Sequence, residues 1–176
     1  KDCEFNTEEI FWKVDNIDIK DSSIKGAYAF LMSNNIEIDN LKFKGKYSFQ
    51  YCKNLHIKNS VLDTKDAFWH SKNVTVRDSV IEGEYLGWYS ENLTLINCII
   101  RGTQPLCYCK GLRLSGCKTE NTDLAFEYSE VDAEISGNIQ SVKNPLSGRI
   151  QADSIGEIIS DDSVKECKCE IIILKP

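Results

Sequence analysis

Asn16-Ile-Asp-Ile19 is the first of six tetrapeptides that decide the fold of this chain. Each has asparagine or glycine first, then aliphatic, variable and aliphatic residues. The later copies are Asn35-Ile-Glu-Ile38, Asn54-Leu-His-Ile57, Asn73-Val-Thr-Val76, Asn92-Leu-Thr-Leu95 and Gly111-Leu-Arg-Leu114. Every copy starts 19 residues after the one before it, with no insertion. Self-similarity at a fixed period of this length predicts a solenoid, in which each repeat buries its apolar face against its neighbours.

The columns of this repeat predict three short strands separated by corners. We number them from the first residue of the tetrapeptide. Columns two and four are aliphatic, which is typical of a strand with one buried face. Column six holds Asp, Asn or Gly, as expected at a corner, and column nine centres a second strand. Column eleven is glycine in four copies, which predicts a positive φ, and columns thirteen to eighteen predict an aromatic-rich third strand.

Three strands per 19 residues predict an all-β, single-stranded parallel β-helix of about six to seven coils. An antiparallel sandwich would give irregular spacing and two-residue turns, and the order of a leucine-rich repeat is absent. We expect coils over residues 1–129, beginning mid-coil with earlier coils missing, and an irregular β-strand cap of the same domain over 130–176. The column-one residues expected to form an amide ladder along one corner are Asn16, Asn35, Asn54, Asn73 and Asn92.

Composition agrees with a β-rich globular chain. The sequence has 20 isoleucines and 13 asparagines but only 6 alanines, which disfavours an all-helical protein. A hydrophobic content of 41% with 27% charged residues excludes wholesale disorder. The net charge of −6 disfavours a nucleic-acid partner, and no apolar run is long enough for a membrane span.

Five of the eight cysteines occupy columns of small residues, and two more share a strand face with Ile171 and Ile173, which predicts a structural role. Cys98 and Cys117 share column seven with serines, and Cys52 and Cys109 share column eighteen with serines. A free cysteine there behaves as a small hydrophobe. Several buried thiols favour a reducing, cytoplasmic location, although a disulfide between stacked Cys98 and Cys117 stays open. The two histidines and the cysteine spacing do not suggest a metal site.

Columns thirteen, fifteen and seventeen carry most of the aromatic residues, and we expect this face to point outward. A 19-residue coil leaves little room inside for three large side chains, and the acids in these columns resist burial. The opposite assignment, with the column-fifteen phenylalanines in the core, stays open. The candidate ligand or interface residues are Tyr28, Tyr47, Phe49, Tyr51, Asp66, Phe68, His70, Tyr85, Tyr89, Tyr108, Asp123 and Glu127.

A catalytic pair is not apparent among these residues. Glycoside cleavage needs two carboxylates a few ångströms apart, or an acidic calcium site beside a basic residue. Asp66 and Asp123 are three coils apart, about 14 Å, and Glu127 is one extended strand length from Asp123. No catalytic residue is therefore assigned.

Several segments resemble a family of uncharacterised bacterial proteins. They include Lys65-Asp-Ala-Phe-Trp69, Gly83-Glu-Tyr-Leu-Gly-Trp88, Leu124-Ala-Phe-Glu-Tyr128 and the tail motif Ser141-Val-Lys-Asn-Pro-Leu-Ser-Gly148. It is a domain-of-unknown-function family within the pectate-lyase-like β-helix group, and the likeness covers nearly the whole chain. The resemblance implies a right-handed coil, a bacterial cytoplasmic protein and further coils upstream. It implies no established activity.

Together these patterns predict a non-catalytic scaffold that binds a partner protein or a glycan through its aromatic face. The alternative is a carbohydrate-active enzyme, similar to a polysaccharide lyase or hydrolase, whose active site lies partly in the missing coils. We expect no cofactor, metal, nucleic-acid or membrane partner. Self-association is expected through the aromatic face or through the open end of the solenoid, because such an end exposes unpaired strand edges.

Overall fold

Stacked parallel strands build the whole structure, a computed structural model that describes residues 1–161 and 164–175. Every pairing between named strands is parallel, and partners lie 19 residues apart over most of the chain, as in Ile17 with Ile36. The described residues contain no helix, and so none that would cross a membrane. The strands are β1 (Glu4–Asn6), β2 (Asp15–Ala27), β3 (Asn34–Lys46), β4 (Lys53–Lys58), β5 (Val61–Lys65), β6 (Lys72–Arg77), β7 (Val80–Glu82), β8 (Glu91–Ile96), β9 (Ile99–Thr103), β10 (Leu112–Asp123), β11 (Glu130–Lys143), β12 (Ser147–Ile159) and β13 (Glu170–Ile173).

The predicted parallel β-solenoid is confirmed, with about nine turns. Strands β2 and β3 each cover two faces of a coil, whereas the next coils divide the same two faces between two successive short strands such as β4 and β5. Strands β11, β12 and β13 also stack in parallel on β10, so the tail adds turns to the six or seven predicted.

Asparagine side chains run along one corner as a continuous ladder. The amide of Asn35 donates to the side-chain oxygen of Asn16 at 3.3 Å, and Asn54, Asn73 and Asn92 repeat the bond at 3.0–3.1 Å. All five residues have φ between 52° and 61°. Asparagine tolerates this left-handed backbone better than other residues with a β-carbon do, so it forms the corner and links the coils.

Two of the four column-eleven glycines, Gly83 and Gly102, have the predicted positive φ, whereas Gly26 and Gly45 are required for another reason. A Cβ on Gly45 would lie 1.6 Å from the carbonyl oxygen of Gly26 in the preceding coil, and one on Gly26 would lie 1.7 Å from that of Thr7. Neither glycine has a positive φ, although Gly83 and Gly102 do. The glycines of β2 and β3 are therefore required by close approach between coils.

A second ladder, of phenylalanines, fills the interior. Phe30, Phe49 and Phe68 are fully buried and stack at 4.9 and 5.3 Å between ring centroids. Leu106 and Phe126 continue this position in later coils, also buried. The prediction that column fifteen points outward is therefore wrong, and the core assignment that it opposed is correct.

The segment that carries the aromatic residues is not a strand. Residues 28–33, 47–52 and 66–71 form turns, and alternate residues such as Tyr47, Phe49 and Tyr51 have φ near 58°. Their backbone N–H groups still bond neighbouring coils: Phe49 donates to Ala29 and Tyr51 to Trp69 at 2.7–2.8 Å. Because every second residue is left-handed, the in–out alternation of an extended strand does not apply. Column seventeen faces outward, as does column thirteen except at the buried Asp66, while fourteen, fifteen and eighteen face inward.

Buried thiols occupy serine positions, as their columns predicted. Cys52 and Cys109 donate to the carbonyls of Phe30 and Gly87, 22 residues back, as Ser71 does to that of Phe49. Cys98 and Cys117 are also buried. The hydrogen bond from the Cys98 thiol lowers the pKa of Cys117. The cysteines therefore act as small side chains that satisfy main-chain carbonyls.

Candidate functional site: an exposed aromatic ladder

Five aromatic side chains line one outer edge of the solenoid in a single stack. We call this set the aromatic ladder: Tyr51, His70, Tyr89, Tyr108 and Tyr128. The first four rings stack at centroid distances of 5.1, 5.0 and 4.8 Å with interplanar angles of 8–12°. Tyr128 extends the stack at 6.0 Å, tilted by 36°. The ladder spans four coil intervals, about 20 Å, because coils repeat at about 4.8 Å.

The ladder exposes ring edges rather than ring faces. Because neighbouring rings lie face to face, each interior ring has both faces covered, and the outward surface consists of ring edges and phenol hydroxyls. Tyr51 and Tyr89 are 44% and 42% exposed. A platform that stacks sugars needs free ring faces, so this arrangement differs from the carbohydrate platform that the sequence suggested.

Two tryptophans support the ladder from beneath. Trp69 and Trp88 are half-buried and stack on one another at 6.0 Å. Trp88 meets the Tyr108 ring edge to face at 5.2 Å, and its indole N–H donates to the Gln104 carbonyl at 2.7 Å. The indole N–H of Trp69 is buried and has no hydrogen-bond partner. This packing fixes the ring positions before any partner binds.

A shallow groove of about 540 Å³ runs beside the ladder, between the aromatic rings and the residues that follow them by two positions in the sequence. Its opposite wall carries Lys53, Lys72 and Glu91, and Lys72 pairs with Glu91 at 2.9 Å. The lysine hydrogen bond lowers the pKa of Glu91. The aromatic edge is thus bordered by a charged rim.

A one-residue insertion displaces two predicted candidates. Asn121, with φ of 52°, lies in a register shift of β10, where Glu120 pairs with Arg101 but Thr122 pairs with Gly102. Tyr128 consequently takes the ladder position predicted for Glu127. Ser129 shows the same shift, since it bonds a carbonyl 23 residues back instead of 22. The assumption that the 19-residue register continues through Asp123 and Glu127 is wrong.

Glu127 instead lies beneath the C-terminal end of the ladder in an ionic network. Its carboxylate accepts a hydrogen bond from the Tyr108 hydroxyl at 3.0 Å and pairs with Lys143 at 3.1 Å. Lys143 also pairs with Asp161 at 3.5 Å. Burial, followed by the bond to Glu127, raises the pKa of Tyr108. The hydrogen bond from Asn144, assisted by Lys143, lowers the pKa of Asp161.

This network contains the close carboxylate pair that sequence reasoning did not find. The Glu127 and Asp161 oxygens that share Lys143 are at most about 7 Å apart, which overlaps the spacing of glycosidase carboxylates. A glycosidase, however, needs one of the two acids protonated. Both carboxylates instead pair with the Lys143 ammonium, and the pKa of Asp161 is lowered, so the arrangement fits a structural ion network better than an acid–base pair.

The remaining candidates form a separate row at column thirteen. Tyr28 and Tyr47 stack at 4.9 Å, and Lys65 lies 5.1 Å from the Tyr85 ring centre. Asp66 is only 7% exposed, and burial raises its pKa. The prediction that Asp66 is exposed is therefore wrong. Asp123 is half-buried at the end of β10, away from the ladder.

The described ranges 1–161 and 164–175 contain no group of three or more His, Cys, Asp or Glu side chains able to hold a metal ion. Comparison with known families gives one match: a family described as protein of unknown function (DUF3737), over residues 1–172. The chain belongs to this family. Searches among curated proteins and among solved structures found no match.

The family description assigns no activity to the ladder. Sequence reasoning placed Tyr51, His70, Tyr89 and Tyr108 correctly on an exposed row, but it missed Tyr128, Lys143 and Asp161. The buried serine position of Ser129, one residue late in the repeat, was the available signal for the shift. Nothing in the repeat indicates that Lys143 and Asp161 approach Glu127, since both follow the last regular copy.

Proposed function

We propose that this DUF3737 member is a non-catalytic scaffold that binds a partner protein through the aromatic ladder. The observation that carries the proposal is the edge-on stack from Tyr51 to Tyr128, which presents ring edges at successive coils. Tyrosine is enriched at protein interfaces, where it contributes a large contact area and a hydrogen-bonding tip.

Pre-ordering supports binding by this surface. The stacked rings and the two tryptophans hold the side chains in place, so less conformational entropy is lost when a partner docks. The rim of Lys53, Lys72 and Glu91 adds charged groups beside the aromatic edge, as is typical of an interface whose centre is apolar and whose border is polar. The partner of the proposal is another protein chain, in the cytoplasm, where the buried thiols would stay reduced.

Glycan binding is the second candidate that the aromatic residues suggest, but the ring geometry favours it less. Covered ring faces do not offer the stacking surface that a sugar requires. A carbohydrate-active enzyme is favoured still less, because both nearby carboxylates are paired with Lys143.

Photo-crosslinking from the ladder tests the proposal. A benzoylphenylalanine at position 89 should give a discrete protein adduct in extract of the source cells, whereas the same residue at position 113, on the first-strand face, should not. The adduct should disappear when Tyr51→Ala and Tyr108→Ala are added. A glycan array is probed in parallel with wild-type protein. Saturable glycan binding that these substitutions abolish, or equal adducts from both positions, would overturn the proposal.

A further inference from the structure

A second recess lies on another face of the coil, over β2, β3, β4 and β6. It is a trough of about 340 Å³ between two outward-facing rows of side chains, with the buried Ile38 and Ile57 positions as its floor. One row contains Glu37, His56 and Thr75, which pair in register on neighbouring strands. The other contains Asp39, Lys58 and Arg77. The volume is within the range of small-ligand sites.

Charge is separated along this trough. The acids Asp18, Glu37 and Asp39 belong to its first two coils, and His56, Lys58 and Arg77 belong to the next two. Two pairs are already neutralised: Asp18 with Lys20 at 3.1 Å and Asp39 with Lys58 at 3.2 Å. Across residues 1–161 and 164–175, Glu37 and Arg77 form no ion pair. One uncompensated anion and one uncompensated cation therefore stand two coils apart.

The separation sets the size of a complementary ligand. Two coils correspond to about 10 Å along the axis, and Arg77 lies two residues, about 7 Å, further along the strand than Thr75, so the diagonal from Glu37 is about 12 Å. Hydrogen-bond contact of about 3 Å at either end leaves about 6 Å, close to the length of about 7 Å that an extended dipeptide has. A dipeptide also has the required charges, an ammonium group at one end and a carboxylate at the other. Arg77 offers a planar pair of donors to a carboxylate, and the Thr75 hydroxyl lies beside it.

We propose that this trough binds a dipeptide-sized zwitterion, with its ammonium group at Glu37 and its carboxylate at Arg77. The site is independent of the aromatic ladder and does not require the proposed protein partner. The ligand is held by both of its ends, at Glu37 and at Arg77, which are the two poles of the site. A simple ion that contacts only one pole should therefore bind weakly.

Calorimetric titration of the full chain with alanyl-alanine tests the assignment. We expect saturable binding, at least tenfold weaker in Glu37→Gln and in Arg77→Gln, and none with acetyl-alanyl-alanine amide. Glu134→Gln and Arg113→Gln, exposed residues outside the trough, are the matched controls and should bind normally. Circular dichroism checks that each variant is folded.

Three results would overturn the inference. They are the absence of saturation up to on the order of 10 mM dipeptide, where affinity is no longer specific, equal binding of the end-blocked peptide, and equal binding by the pole variants and their controls. Binding of acetate or methylammonium as tightly as the dipeptide would also overturn it, because one pole would then suffice.

Discussion

Replacing Phe49 with alanine should destabilise the solenoid far more than replacing Tyr51, two residues away in the same turn. Phe49 is fully buried and stacks on Phe30 and Phe68 at 4.9 and 5.3 Å. Its truncation leaves a cavity between coils, for which we expect a loss of about 4 kcal/mol in the free energy of unfolding. Tyr51 is 44% exposed, and within the described residues only the His70 ring stacks on it, so Tyr51→Ala should cost about 1 kcal/mol.

Urea unfolding followed by tryptophan fluorescence measures the difference. With a slope of about 2 kcal/mol per molar, the midpoint should fall by about 2 M for Phe49→Ala and by about 0.5 M for Tyr51→Ala. Phe68→Ala provides a second core variant with the same expected sign. Equal midpoint shifts at positions 49 and 51, or a larger shift at 51, would refute the assignment of column fifteen to the core.

Three further predictions concern the corners and the ionic end of the ladder. Asn73→Ala should lower the free energy of unfolding in urea by about 2 kcal/mol, because it removes two side-chain amide hydrogen bonds and places alanine at a left-handed φ. Asn73→Gly should lower it less, because glycine adopts that φ without strain. Equal losses in the two variants would contradict this. Gly45→Ala should cost more than about 3 kcal/mol or prevent folding, because its Cβ meets the Gly26 carbonyl; an unchanged midpoint would disprove the close-approach argument. Tyr108 should ionise last among the tyrosines, so a difference absorbance titration against Tyr108→Phe should show its signal at the highest pH. Its folded pKa is raised above the unfolded value near 10, so the associated stability is present below pH 10 and is lost as pH rises beyond it; ionisation together with the exposed tyrosines would refute the bond to Glu127.

The repeat determined how much of this could be predicted from sequence. The 19-residue interval between Asn16, Asn35 and the later asparagines predicts the parallel stacking and the amide corner, because both depend on residues that recur at one position of the repeat. The face of the aromatic segment could not be predicted in the same way. Period-two reasoning assumes extended backbone, and alternate residues such as Phe49 have φ near 58° instead.

The candidate site was predictable only in part for two physical reasons. The bulge at Asn121 moves Tyr128 into the ladder by a single residue, and a fixed register does not detect an insertion of that size. The contact between Glu127 and Lys143 joins the last regular coil to the tail, where no repeat relates the two positions. Contacts between regular coils can be predicted from the period of the repeat, whereas contacts between the last regular coil and the tail depend on tertiary packing.

Affinity for the crosslinked partner, measured with purified proteins, tests the central claim most directly. We predict that Tyr51→Ala with Tyr89→Ala raises the dissociation constant at least 100-fold, since two interface tyrosines at about 2 kcal/mol each exceed that factor. Arg113→Gln, on another face, should leave it unchanged. An unchanged dissociation constant in the double tyrosine variant, with the fold intact, would contradict the claim that the aromatic ladder is the binding surface.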